Sequence, residues 1–367
     1  MSQPEKSGNQ SEQSGNQLKQ RDEQPERRNE QGARTLRIGS RGSQLALWQA
    51  NHIAALLRSR GHAVSIEIIK TLGDRLQDPA FALRGGAAAE IPADGKGIFI
   101  KEIEEALADG RIDLAVHSLK DLPTEIDARF VLAAIPERAN PADVLIGPTE
   151  MLLSTLPHGA RVGTTSPRRQ AQLLRMRGDL RFVEMRGNVD TRLRKLAEGQ
   201  AEALVLAAAG LERLGRTEWV RQQFTPEEMC SAPGQGALAI ETRAADTATR
   251  DAVGFLDDWQ TRFCVEAERT VLRELGGGCS VPIGAHCAVE PAGWRMWGSV
   301  LSPDGKRSAQ VNAEAGENES PSAFGMRVVE ELLAQGAREL LASGEGCDAI
   351  VFEVLSLFCC GHSFSHT

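Results

Sequence analysis

The densest chemistry in this 367-residue chain lies between Arg161 and Lys195. Ten Lys or Arg stand there against three acids (Asp179, Glu184 and Asp190), a balance of +7 in a chain whose formal charge is −8. Arg168 and Arg169 follow Thr-Thr-Ser-Pro. Ser166 suits a helix N-cap and Pro167 the first helical position. Free backbone N–H groups and two guanidinium groups then converge at one helix N-terminus, which is a site for anions. A solvated helix face is the blander reading, and this placement weakens it. Arg41 and Ser43 occupy the matching turn of an earlier, similar stretch. One carboxylate also stands out, Asp121 in HSLKDLP (117–123), after an apolar strand and beside Lys120. An Asp in such a turn is common. Neighbouring cations would keep it ionised, ready to stabilise a developing cation or to move protons. His117, in the same segment, reads as a core residue or as support behind the site.

Cys279 sits in GGGCSVPIG (276–284), where the glycines leave the loop free to present its sulfur. By residue type alone it is open as a nucleophile, a metal ligand, a disulfide half or an apolar filler. The seven cysteines, at 230, 264, 279, 287, 347, 359 and 360, show no repeated CxxC spacing. That excludes a zinc ribbon and a disulfide framework, and no metal is expected. The terminal CCGHSFSH reads as an exposed, loosely ordered end rather than a metal tract. Cys264 and Cys287 fall in helix and strand patterns and read as buried filler.

These residues need elements to position them. LRIGSRGSQLALWQA (36–50) and ARVGTTSPRRQAQLL (160–174) share one pattern of strand, glycine, polar turn and amphipathic helix. Each is followed later by an acid and a short apolar strand running into a polar loop, at 113–123 and 202–215. The pattern predicts two α/β domains of one design with largely parallel sheets. Ligands in such sheets sit at the carboxyl ends of strands, so the two domains would enclose a cleft. A helix over 259–275, strands over 281–289, 294–301 and 306–313, and a long helix over about 321–342 predict a small α+β third domain carrying Cys279. Residues 73–97 read as a mobile loop at the cleft edge.

The composition, 41% hydrophobic and 25% charged, is that of a globular protein of two or three domains. No apolar run reaches the roughly 20 residues of a membrane span. The first 34 residues hold a single Leu and cannot bury enough apolar surface to order themselves. They lack the h-region of a secretory signal, so a cytoplasmic location is expected. The net charge disfavours a general nucleic-acid binder, and the basic segment lacks the aromatic interleaving that single strands need.

Eight motifs, in order over about residues 35–343, resemble the hydroxymethylbilane synthase family, also called porphobilinogen deaminases. They are IGSRGSQLALWQA, GKGIFIKEIEEAL, DLAVHSLKDLP, VGTTSPRRQAQL, RGNVDTRLRKL, LAAAGLERLG, APGQGALAIE and GGGCSVPIGA. The resemblance implies two domains like those of type II periplasmic binding proteins around a cleft, plus a small α+β C-terminal domain. The implied boundaries are a disordered leader to 34, domain 1 over 35–136 with 237–256, domain 2 over 141–232, domain 3 over 259–343 and a tail over 344–367. It implies a transferase that deaminates four porphobilinogen molecules and joins them head to tail on a covalent dipyrromethane primer, releasing 1-hydroxymethylbilane. The primer is implied to hang from Cys279 by a thioether. Lys120, Ser118, Thr165, Ser166, Arg168 and Arg169 are implied to hold it. Arg41, Ser43, Lys96, Phe99, Arg186, Arg192 and Arg213 are implied to bind substrate or the growing chain. Asp121 is implied to contact pyrrole N–H groups and stabilise cationic species. The partner is the small-molecule substrate, with no nucleic acid, no membrane and a monomeric chain.

Guanidinium groups suit this role, because every pyrrole unit brings an acetate and a propionate and guanidinium grips carboxylates in two places. The chain departs from the family pattern at Gly276, where many relatives carry an acid, and in a longer loop before Lys96. The rival reading is a catalytically silent polycarboxylate binder on the same scaffold. Asp121 together with Cys279 argues against it, since a binder needs neither.

Overall fold

The structure, a computed structural model, describes residues 34–72, 100–276 and 281–345. The leader through residue 33, the loop at 73–97 with Lys96, Phe99, Cys279, and the tail beyond 345 lie outside the described residues. Arg34, counted above with the leader, is held in place by Asp113 at 2.9 Å and Asp246 at 3.1 Å.

The first repeat folds as its pattern predicts. Strand β1 (Thr35–Ser40) ends in a polar turn, and Ser43 caps helix α1 (Gln44–Ser59) by accepting from the Ala46 amide at 3.3 Å. Strand β2 (Ala63–Ile68), helix α2 (Lys101–Ala108), strand β3 (Leu114–Ser118) and strand β4 (Phe130–Ala134) follow. The second repeat has strand β5 (Asp143–Ile146), β6 (Arg161–Gly163), helix α3 (Pro167–Met176), β7 (Arg181–Val183), helix α4 (Val189–Ala197), β8 (Ala203–Ala207), helix α5 (Ala208–Leu214) and β9 (Val220–Gln223). The expected polar loop after β8 is the helix α5. The chain then returns to the first sheet as β10 (Leu238–Arg243) and helix α6 (Thr247–Val253).

The two five-stranded sheets have matching orders, β2-β1-β3-β10-β4 and β7-β6-β8-β5-β9. In each, the strand in fourth place runs antiparallel to both neighbours. The remaining pairings, β1 with β2 and β3 and β6 with β7 and β8, are parallel. The antiparallel strand of each sheet directly adjoins a crossover between the domains. These are the two α/β domains of one design that the repeated pattern predicted. Ile38, Ile53, Leu57, Leu114 and Ile240 fill the first core. Leu145, Val162, Leu173, Val205 and Phe224 fill one side of the second.

The third unit packs helix α7 (Trp259–Glu274) and helix α8 (Pro321–Ala334) on one antiparallel sheet of β11 (Ile283–Glu290), β12 (Gly293–Leu301) and β13 (Ser308–Glu314). Cys264 and Cys287 are buried in its core with Phe324, as their patterns predict. The long helix expected over 321–342 is two. It breaks at Gly336, whose φ of 86° an L side chain rarely adopts, and resumes as α9 (Ala337–Glu345). Among the described residues no helix is long and apolar enough to cross a membrane.

Candidate functional site

The carboxyl end of β3 makes the site's floor. The strand runs into a single turn of tight helix, Leu119–Asp121, which places Asp121 at the surface and Lys120 against the crossover. Asp121 lines an open pocket with Arg41 and Ser43 from the β1–α1 turn, Gln49 from α1, and His117 and Ser118 from β3. The first-repeat residues singled out by type therefore do come together. Gln49 was not among them. It is buried on the apolar face of α1 and donates to the Ser118 hydroxyl at 2.9 Å, so it fixes the strand end to the helix. A lone Gln among Ala50, Ile53 and Ala54 was the available signal.

The second repeat brings its cations to the same place. Ser166 caps α3 and Pro167 opens it, as expected. The guanidinium groups of Arg168 and Arg169 do not project freely from that terminus. They fold inward and are 4% and 8% exposed. The reason is Asp143, wholly buried at the start of β5. Arg168 Nη1 reaches its Oδ2 at 2.6 Å and Arg169 Nε its Oδ1 at 2.8 Å. Burial alone would raise the Asp143 pKa, but the two guanidinium groups override it and hold the carboxyl well below its usual range. Arg168 also donates to the Cys230 carbonyl at 2.8 Å, and Arg169 to the Val205 carbonyl at 3.1 Å. An acid opening the apolar run Asp-Val-Leu-Ile was the only sequence sign of this anchor.

Gln235, in the second crossover, joins the halves. Its side-chain oxygen accepts from Lys120 at 3.3 Å and from Arg169 at 3.4 Å, while its amide nitrogen donates to Asp143 at 3.1 Å and to the Pro141 carbonyl at 2.8 Å. Lys120 is thus held beside the arginines. Burial, then the Arg169 charge, push its pKa down to about 8 against the pull of Asp121 and Asp143. Arg192 lies close enough that burial and the Arg169 charge depress its own pKa. Its Nε is held by the Gly187 carbonyl at 2.8 Å. Arg213 of α5 donates to the Gly236 carbonyl at 2.7 Å and lies 5.8 Å above the Trp48 ring of α1. Burial lowers its pKa to about 10. Gly236 has φ of 86°, and a Cβ there would stand 2.5 Å from the Ala139 carbonyl of the other crossover, so only glycine fits. Arg186 stands apart from this group. Its side chain is 82% exposed and pairs with Glu184. Thr165 is exposed at the α3 terminus beside Ser166.

A second hub, also unforeseen, fastens both crossovers to the third unit. Glu268 of α7 is fully buried. Its Oε1 accepts from Arg138 at 2.6 Å and the Cys287 amide at 2.7 Å, and its Oε2 from Arg138 at 3.1 Å and the Gly234 amide at 2.7 Å. Arg138 also donates to the Gln235 carbonyl at 2.8 Å. The unit that carries the Cys279 loop is thereby tied to the segments that join the two domains.

Chemically, the site sets cations (Lys120, Arg41, Arg168, Arg169, Arg192 and Arg213) against two carboxylates, Asp143 and Asp121. Asp143 is internally compensated, which leaves a surplus of positive charge facing one exposed acid. Such a surface takes a multiply charged carboxylate ligand that also offers hydrogen-bond donors.

Comparison with known proteins gives the same direction. A family model described as "Porphobilinogen deaminase, dipyromethane cofactor binding domain" matches residues 36–251, and one described as "Porphobilinogen deaminase, C-terminal domain" matches residues 262–334. A porphobilinogen deaminase of Nitratidesulfovibrio vulgaris is 46% identical over 311 residues, covering 83% of this chain and 95% of that one. One of Geobacter sulfurreducens is 44% identical over 309 residues, covering 84% and 94%. One of Xanthomonas euvesicatoria is 45% identical over 310 residues, covering 84% and 99%.

Proposed function

We propose, because this chain belongs to the porphobilinogen deaminase family, that it deaminates porphobilinogen and condenses four molecules of it into 1-hydroxymethylbilane. The observation that carries this reading is the meeting of Lys120 and Arg169 on one acceptor, Gln235, beside the pocket that holds Asp121. The donor set fits a dipyrromethane: cations and hydroxyls for its acetates and propionates, and one exposed carboxylate for its pyrrole N–H groups. When bound, a dipyrromethane supplies the nucleophilic pyrrole carbon onto which new units are added.

The residues then divide the work. Arg168, Arg169, Lys120, Ser118, Thr165 and Ser166 hold primer carboxylates at the junction of the two domains. Asp143 orients the arginines, so that little ordering is left to be done on binding. Arg41, Ser43, Arg192 and Arg213 hold the incoming unit. Arg186, exposed, meets the chain only as it lengthens, and Lys96 and Phe99 cover the same cleft. Asp121 faces the pyrrole N–H groups and lowers the energy of positive charge that develops as ammonia departs. Cys279 carries the primer by a thioether, presented by the third unit. Domain limits at 35–136 with 237–256, 141–232 and 259–343 follow the crossovers, and the enzyme is a cytoplasmic monomer.

The test is a porphobilinogen consumption assay together with an intact mass. Active protein should exceed its sequence mass by one dipyrromethane, and Cys279→Ser should carry none and be inactive. Active protein of unmodified mass refutes the reading.

A further inference from the structure

Behind the Asp121 pocket lies a buried carboxylate that anion binding leaves without a task. Glu241, on β10, is fully buried, and His117, on the adjacent β3, is 7% exposed. The register pairs His117 with Ala239 and Ala115 with Glu241, so His117 and Glu241 are diagonal neighbours on one face of the sheet. His117 Nε2 lies 3.1 Å from Glu241 Oε2. Glu241 Oε1 is buried and has no hydrogen-bond partner among the described residues. His117 itself lines the pocket with Asp121, Arg41 and Ser43. Glu104 faces the pair from α2, and burial followed by the Glu241 charge raises its pKa. Asp127 and Arg129 act on Glu104 from the loop before β4. A buried carboxylate with an unpaired oxygen lowers stability, and an apolar side chain would pack there without that cost. A buried polar atom without a partner calls for an explanation, and this one lies behind the one imidazole that lines the Asp121 pocket.

We propose that His117 is the proton acceptor of this pocket and that Glu241 is its positioning residue. The proposal rests on the transferase reading above. Each addition makes one carbon–carbon bond. It breaks the C–N bond of the incoming aminomethyl group, whose electron pair leaves with ammonia. It also breaks one C–H bond at the accepting ring carbon, whose electrons restore the aromatic ring and whose proton must be taken up. A Glu241 carboxylate accepting from Nε2–H leaves Nδ1 as the basic nitrogen of His117. Nδ1 receives that proton, the Glu241 charge stabilises the imidazolium, and the proton passes on to the ammonia, which departs as ammonium. Asp121 is the partner of the pyrrole N–H groups and takes no part in this transfer.

The experiment uses the full-length primed protein and the variants His117→Asn and Glu241→Gln, each checked for attached primer by mass and for folding by circular dichroism. Imidazole nitrogen NMR without substrate reads the tautomer directly, with the His117 signals assigned by their loss in His117→Asn. The expected state is Nε2–H, and Glu241→Gln should release the ring from that single tautomer. Single-turnover addition of one porphobilinogen is then followed from about pH 5 to about pH 9, a span that brackets imidazole titration. His117→Asn should lose roughly 10²-fold in rate, in the range of a missing general base, and should lose the acid limb of the profile. Glu241→Gln should move that limb to lower pH and leave KM unchanged. An Nδ1–H tautomer in the wild type, or a His117→Asn variant within about threefold of wild type, overturns the proposal while leaving a working transferase. If His117→Asn fails to carry primer, Glu241→Gln decides: an unmoved acid limb overturns it. Wild-type protein that does not consume porphobilinogen refutes the transferase reading instead.

Discussion

Replacing Glu268 with glutamine should loosen the joint between the third unit and both crossovers. The carboxylate and Arg138 are 0% and 10% exposed in their side chains, so solvent screens neither charge. Each carboxylate oxygen accepts two hydrogen bonds, one from Arg138 and one from a backbone amide. A glutamine keeps the volume but offers one accepting oxygen. Its NH2 group then meets two donors, and the Arg138 charge is left buried without compensation. Breaking one side of a buried pair costs roughly 3–5 kcal/mol. In a chain of 367 residues each kcal/mol moves the thermal midpoint by about 2 °C or less, so the midpoint should fall by roughly 5–8 °C. The assay is thermal and urea unfolding of wild type, Glu268→Gln, Arg138→Met and the double variant, with Trp297 on β12 as a fluorescence probe close to the joint. The double variant should lose much less than the sum of the singles, a coupling of about 2 kcal/mol or more for groups in one network. A Glu268→Gln loss under about 1 kcal/mol with additive singles would show the pair to be no stronger than a surface one.

Asp121→Asn should keep its primer by mass yet lose at least about 10²-fold in turnover, as for a lost charge-stabilising group, and normal turnover would reduce Asp121 to a turn residue. Lys120 gives a pH test of the same sign as a carboxylate held below its usual pKa, and of opposite sign to a lysine whose pKa an acid partner raises. Its folded pKa, about 8, lies below the ordinary lysine value of 10.5, so the unfolded chain holds the proton more tightly between those two values. Stability should therefore rise with pH through that window, and the gain should vanish in Lys120→Met. A wild-type curve parallel to that of Lys120→Met between the two values would mean that Lys120 is not depressed in the folded state.

What the chain revealed unaided was local or was carried by ordered motifs. Ser43, Ser166 and Pro167 announce their helices because a cap bonds to an amide three residues away. The alternation in β13 and the apolar faces of α1 and α7 show in the sequence because side-chain periodicity repeats within one element. Family motifs made Arg41, Ser43, Ser118, Asp121, Lys120, Arg168 and Arg169 legible as a set. The hidden break in the last helix was signalled by Gly336, yet the apolar spacing continued across it and masked the turn. Tertiary structure alone decided how the cations are held. Asp143 is 25 and 26 residues from Arg168 and Arg169, Gln235 is 115 from Lys120, Glu268 is 130 from Arg138, and Glu241 is 124 from His117. No local period records such pairings. Two of them exist because the antiparallel strands β5 and β10 bury the single charges of Asp143 and Glu241, and two because the crossovers bring Gln235 to Lys120 and Arg138 to the buried Glu268 of α7, where only a partner from elsewhere in the chain can pair them.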